Sequence, residues 1–189
     1  QKEPYAQAAE CSFILVGAYA GIGGARQAME LLKVRPRVYI SIEQDGDCRE
    51  VVKTRWPDVI DDIYRVEDVT LKWLKEIADC NPGLTDGILV AGPPCQGFSS
   101  LNVDRQGFDD PRSNGISDSA TLVALLRRAF PKVTWFILIE NVGTMLSTLS
   151  LAYSKKYHLN WRHIAWMRRK SALSAETVTI GLISLSILR

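Results

Sequence analysis

The chain has 189 residues, 47% of them hydrophobic and 23% charged, which is the balance of one globular domain with a proper core. A net charge of +2 excludes a global polyanion-binding signature, so any contact with nucleic acid has to come from local clusters. Cys11, Cys48, Cys80 and Cys95 are scattered without a Cys-x-x-Cys pair. They indicate neither a zinc site nor a disulfide framework, so no metal is expected and a reducing, intracellular setting is the default.

The longest apolar stretch, residues 180–188, is broken by serines and too short to cross a bilayer, so no membrane association is expected. The chain opens on Gln1 rather than Met, which reads as an excerpt of something larger. Residues 1–11 are a polar lead-in. Residues 12–19 form an apolar run of strand length that ends in Ala20-Gly21-Ile22-Gly23-Gly24, and residues 25–33 then have helical composition. A strand, a glycine turn and a helix make half of a nucleotide-binding unit, because glycines let the backbone approach a ligand and the helix start presents free N–H groups. Such a turn also serves simply to join a strand to a helix.

A second strand over residues 37–42 ends at Glu43, with Asp45 and Asp47 close behind. An acid about 20 residues past a glycine turn is the usual partner of ribose hydroxyls. The alternative is that these acids cap the next helix, residues 48–56, and Asp45 or Asp47 is placed to do so. A short segment over residues 59–64 leads to Asp68-Val69, a helix over residues 71–78 and a turn at Asn81-Pro82-Gly83. Strands alternating with helices predict an α/β fold, a mostly parallel sheet with helices on both faces.

The stretch on which the chemistry turns is residues 88–99. An apolar run, residues 88–91, stops at Gly92-Pro93-Pro94, and Cys95 follows at once. Two prolines stiffen the loop, since each fixes its own φ and denies the helical region to its predecessor. The thiol is therefore carried on a rigid loop at a strand's carboxyl end, where open α/β sheets bind ligands. Gln96, Gly97, Ser99 and Ser100 surround it with small and polar groups, which suits an accessible thiol; a buried, inert cysteine is the competing reading.

Residues 102–119 are polar and read as a long loop carrying Arg105 and Arg112. A helix over residues 120–130 precedes another apolar strand, residues 133–139, which ends in Glu140-Asn141-Val142. A carboxyl group at the tip of a buried strand is a candidate proton donor, because burial favours its protonated form. Residues 149–166 mix basic and aromatic side chains, and Met167-Arg168-Arg169-Lys170 extends the charge. That pattern either tracks a phosphate backbone or makes a solvated amphipathic helix. Residues 177–188 read as one last strand.

Taken together, these motifs resemble the cytosine-5 DNA methyltransferase family across residues 12–146, with residues 147–189 matching poorly; all 189 read as one partial catalytic domain. Tyr19-Ala20-Gly21-Ile22-Gly23-Gly24 is similar to the family's first motif, Phe-x-Gly-x-Gly-Gly, which wraps S-adenosyl-L-methionine. The resemblance implies that Glu43 holds the ribose hydroxyls, that Gln44 lies beside the adenine, that Asp68-Val69 meets the adenine edge, and that Pro94 borders the cofactor. Gly92 to Ser99 matches the catalytic Pro-Cys loop almost letter for letter, and Glu140-Asn141-Val142 matches the family's Glu-Asn-Val.

By that resemblance Cys95 is the nucleophile, Glu140 contacts the cytosine ring, and Asn141 positions the loop. Gln96, Ser99, Arg105 and Arg112 face double-stranded DNA, whose target base is flipped out. The expected compartment is the nucleus of a eukaryote or the cytoplasm of a bacterium. The family's Gln-x-Arg-x-Arg motif is not recognisable: Thr177 and Thr179 stand where arginines are expected. Nor is a target-recognition region, and Ser117-Asp118-Ser119-Ala120 replaces an apolar pattern in the cofactor wall. A truncated domain, half of a split enzyme with a complementing subunit, and a weak homologue acting as a regulatory partner all fit. So does action on transfer RNA.

Overall fold

The computed structural model describes residues 12–94, 114–142, 164–170 and 177–184. Its first half follows the sequence closely. Strand β1 (Phe13–Ala18) leads through the glycine turn to helix α1 (Gly24–Leu31), and β2 (Val38–Ile42) to α2 (Gly46–Arg55). A single turn of tight helix, Val66–Asp68, precedes α3 (Leu71–Cys80) and β3 (Asp86–Ala91). Helix α4 (Asn114–Ala129), β4 (Thr134–Val142), β5 (Ile164–Lys170) and β6 (Thr177–Ser184) follow.

Capping fixes two of the helix starts. Asp45 accepts a bond from the Cys48 N–H at 2.9 Å, and Thr70 accepts one from the Trp73 N–H at 3.2 Å. Asp45 is thus the capping acid.

The strands form one sheet in the order β2-β1-β3-β4-β6-β5. The first four are parallel; β6 runs antiparallel between β4 and β5. Because β5 is antiparallel to β6 in turn, it points the same way as β4. Ile60 adds a parallel bridge to Ile40 at the far edge of β2.

One face of the sheet packs Ile14, Val16, Ile40, Leu89, Trp135 and Ile137 against Leu74 and Ile77 of α3 and Leu122 and Leu126 of α4. The other packs Phe13, Leu15 and Tyr39 against Val52 and Trp56, with Ala25 and Met29 of α1 alongside. This second face is less covered toward β4. Trp135 and Ile137 are buried, whereas Phe136 between them is 40% exposed.

Three sequence expectations need correction. The polar stretch before residue 120 is not loop to its end: α4 begins at Asn114. Its first turns are held by side chains rather than by apolar spacing, with the Ser119 hydroxyl donating to the Gly115 carbonyl at 2.7 Å and Thr121 to Ser117 at 3.0 Å. Strand β4 runs on through Val142 instead of stopping at residue 139, because antiparallel pairing with β6 continues to Val142 and Val178. The amphipathic-helix reading fails for residues 164–166, which begin β5 and pair with β6. Residues 177–184 do form the expected last strand. No helix among the described residues is long and apolar enough to cross a membrane.

Candidate active site

The register of the sheet brings the motifs together. Ile42, Ala18, Ala91 and Ile139 lie in one row across β2, β1, β3 and β4. The next residue on each strand is Glu43, Tyr19, Gly92 and Glu140. Four segments far apart in sequence thus come side by side at the carboxyl edge of the parallel strands, the place where open parallel sheets bind ligands. Of the four strands, β4 alone runs on, paired with β6. Three strand spacings put the outer pair about 14 Å apart.

The glycine turn is tightly built. Gly21 and Gly23 take positive φ, 53° and 84°, where glycine carries no Cβ penalty. The Ala20 N–H donates to the Ile42 carbonyl at 3.2 Å, and the Gly23 N–H closes the turn onto the Ala20 carbonyl at 3.0 Å. Gly23 also lies on the Trp56 ring, where a Cβ would sit 2.3 Å from Cζ3. The Trp56 indole N–H donates to Glu30 of α1 at 2.7 Å, tying turn and helix to the same ring. Among the described residues nothing lies within 4 Å of a Cβ built on Gly21 or Gly24, so the turn is open on that account, and Ile22 is exposed.

Glu43 locks this turn. One carboxylate oxygen accepts the Gly21 N–H at 2.8 Å and the other accepts the Asp45 N–H at 2.9 Å. A carboxylate offers about four acceptor positions, so each oxygen keeps one for a ligand hydroxyl. The residues therefore fit a nucleoside-type cofactor: an open glycine turn, and beside it a half-buried acid already oriented by backbone donors. Gln44 follows it, exposed. Val69 is buried in the core and Asp68 exposed at the end of its turn, which packs against α4.

At the other side, Gly92 donates its N–H to the Ala18 carbonyl at 3.2 Å, holding the start of the Pro93-Pro94 loop to β1. Pro93 is buried and Pro94 exposed. A Cβ on Gly92 would lie 3.9 Å from a Glu140 carboxylate oxygen, so that carboxyl group borders the loop. Burial pushes the Glu140 pKa up from the ordinary carboxylate range. Asn141 lies in β4 opposite Thr179 of β6. Cys95, Gln96, Ser99, Arg105 and Arg112 lie outside the described residues.

Some participants were not singled out in the sequence. Trp56 supports the turn, and Gly115 of α4 touches it: the Tyr19 hydroxyl donates to the Gly115 carbonyl at 3.2 Å. Asp118 and Glu67 stand close enough to Tyr19 for their charges, with burial foremost, to push the phenol pKa well up. Burial first and Glu67 second raise the Asp118 pKa as well. A glycine in a polar stretch carries no sequence signal of such a role.

Comparison with known proteins supports the geometry. Residues 15–158 match the family described as C-5 cytosine-specific DNA methylase. The chain is 29% identical over 133 residues to the Type II methyltransferase M.AquIA of Picosynechococcus, a match covering 70% of this chain and 50% of that protein. Among solved structures it resembles the Dnmt2 methyltransferase of S. pombe, with TM-score 0.59 and 16% identity over 91% of this chain and 49% of that one. A putative DNA modification methyltransferase encoded within an E. coli prophage gives TM-score 0.60 and 20% identity, covering 90% of this chain and 46% of that one. The fold is thus the Rossmann-like one of S-adenosylmethionine-dependent methyltransferases, and the chain spans about half the length of these three relatives.

Proposed function

Since this chain belongs to the C-5 cytosine-specific DNA methylase family, we propose that it carries the catalytic half of an enzyme that methylates carbon 5 of cytosine in double-stranded DNA. The observation that carries this reading is the register row: it delivers the glycine turn, Glu43, the Pro-Pro loop and Glu140 to one edge of the sheet. Tyr19 to Gly24, Glu43, Gln44, Asp68, Val69 and Pro94 are the residues to hold S-adenosyl-L-methionine. Bound there, the cofactor supplies an electrophilic methyl group.

The chain's own part is to make the cytosine ring nucleophilic. Cys95, next after Pro94, adds as thiolate to carbon 6, and the electron pair of the 5,6 double bond is released toward carbon 5. After carbon 5 has gained the methyl group, loss of its proton to solvent expels the thiolate and restores the double bond, the step that fluorine at carbon 5 blocks. Glu140 shares its proton with ring N3, a role suited to a carboxyl group whose pKa burial has raised. Asn141 positions the loop, while Gln96, Ser99, Arg105 and Arg112 meet the DNA. Strand β5 ends in Arg168-Arg169-Lys170 opposite Thr179, Val178 and Thr177, near the same edge, which favours a polyanionic substrate.

The half-length span supports a second part to the proposal: turnover requires a complementing segment, in a longer chain or a partner subunit, that reads the target sequence. The setting is intracellular. Covalent trapping tests the reading, with this chain, S-adenosylmethionine and duplex DNA containing 5-fluorocytosine in mixed contexts. A denaturation-resistant complex that Cys95→Ser abolishes is expected, on addition of the complementing segment if not with the chain alone. Trapping that survives Cys95→Ser would remove the nucleophile assignment. Cofactor binding without any trapping would leave a regulatory role as the better account.

A further inference from the structure

Three segments of the site meet at Gly115. Tyr19 follows β1 with φ 55°, the left-handed region that bulky side chains avoid. A non-glycine residue pays roughly 1–2 kcal/mol there and keeps the conformation only where its surroundings fix it. The surroundings here are the core beneath its ring and the bond from its hydroxyl to the Gly115 carbonyl, 3.2 Å long and 96 residues away in sequence.

That carbonyl also accepts the Ser119 hydroxyl at 2.7 Å, which draws the first turn of α4 together. Gly115 itself is closely surrounded. A Cβ would meet Pro93 Cβ at 3.0 Å, the Tyr19 hydroxyl at 3.1 Å and Pro94 Cδ at 3.3 Å. The residue before the cofactor turn and the Pro-Pro loop therefore both close on the start of α4 at Gly115, where a side chain would force its neighbours to give way.

We propose that Tyr19 is a positioning residue: its hydroxyl, seated on Gly115, sets the spacing between the glycine turn and the Pro93-Pro94 loop and so the width of the cofactor cleft. The inference rests on the cofactor reading above and deepens it. The phenol is suited to the task because burial and the neighbouring Asp118 and Glu67 carboxylates keep it protonated and donating. A side chain at 115 would press on the Pro-Pro loop and the Tyr19 hydroxyl.

Calorimetry with S-adenosylmethionine and thermal melting of the whole chain test this in a double-mutant cycle. Tyr19→Phe keeps the ring and removes the donor. It is expected to raise the cofactor Kd about fivefold to tenfold while lowering Tm by no more than about 4 °C. Gly115→Ala is expected to raise Kd at least as much. Adding Tyr19→Phe to it should recover part of that loss, by vacating the hydroxyl's space for the new methyl group. The double variant then binds more tightly than the sum of the single losses allows.

A hydroxyl with a merely structural role would lower Tm and leave Kd where it was. An unchanged Kd in Tyr19→Phe, or strictly additive losses, overturns the proposal and leaves the cofactor site standing. Wild-type chain that binds no S-adenosylmethionine overturns both, and is told apart because it fails before any substitution is made.

Discussion

Glu43 and Glu140 lie one residue beyond the same register row, on the two outer strands of the parallel part of the sheet, yet their surroundings differ in kind. Glu43 stands just past the end of β2 and Glu140 still within β4, paired with Ile180 of β6. At the tip of β2, two backbone N–H groups donate to the Glu43 carboxylate, one to each oxygen. Donors of that sort orient a carboxylate as an acceptor, ready for hydroxyl groups of a ligand. At β4, burial acts on Glu140 and favours its protonated form, and the group borders the Pro-Pro loop. The same side chain in one register row is thus held as an acceptor by backbone N–H groups at β2 and shifted toward its protonated form by burial at β4. On the proposed function the first suits binding and the second proton transfer.

The sharpest way to break that contrast is Glu140→Gln. An amide keeps the shape and loses the proton, so methyl transfer in a single turnover is expected to slow by about 10²–10⁴-fold, with the DNA Kd changed by less than about threefold. A loss confined to DNA affinity would make β4 a binding tip as well. Gly23→Ala comes next, as a test of how firmly the β2 side is built. A methyl group 2.3 Å from the Trp56 ring, on a backbone at φ 84°, is expected to cost roughly 2–3 kcal/mol. That corresponds to a Tm fall of about 4–12 °C, and a fall under about 2 °C would show that the turn yields easily.

Glu43→Ala is milder and more selective. It removes the acceptor for Gly21 and Asp45 and the two lone pairs left over for a ligand, so the S-adenosylmethionine Kd is expected to rise about tenfold to a hundredfold by calorimetry. Unchanged affinity would detach the tip of β2 from the ribose.

Legibility in the sequence follows the same divide. The β2 side was readable because its signals are local: an apolar run, glycines at a turn, an acid about 20 residues on, and Asp45 three residues before the N–H it caps. The β4 side depends on pairings that no local pattern announces. Glu140 reads as the end of a strand when residues 133–139 are taken alone, and only the antiparallel β6 shows the ladder continuing to Val142. The insertion of β6 ahead of β5 reverses chain order, and β5 was hidden because Arg168-Arg169-Lys170 breaks its apolar pattern. Helix α4 hid its first turns for another reason. Gly115 to Ser119 is poor in helix formers, and contacts with Pro93, Pro94 and Tyr19, all distant in sequence, hold it.

The smallest effect tests the electrostatic half of the contrast directly. Burial raises the Glu140 pKa, so the folded chain binds that proton more tightly than the unfolded chain does. Its favourable contribution is complete below the ordinary carboxylate pKa and is lost as pH rises through the raised folded value. Above that value the folded state carries the cost of a desolvated charge. The amide of Glu140→Gln never ionises and escapes the cost. Melting this variant beside wild type should give equal Tm values near pH 4 and a variant more stable by about 1–3 °C at about pH 8, with the gap opening between. A gap of the opposite sign at the higher pH would mean that donors meet the Glu140 carboxylate, as they do that of Glu43. The two tips would then be alike, and the proton for the cytosine ring would have to come from another group.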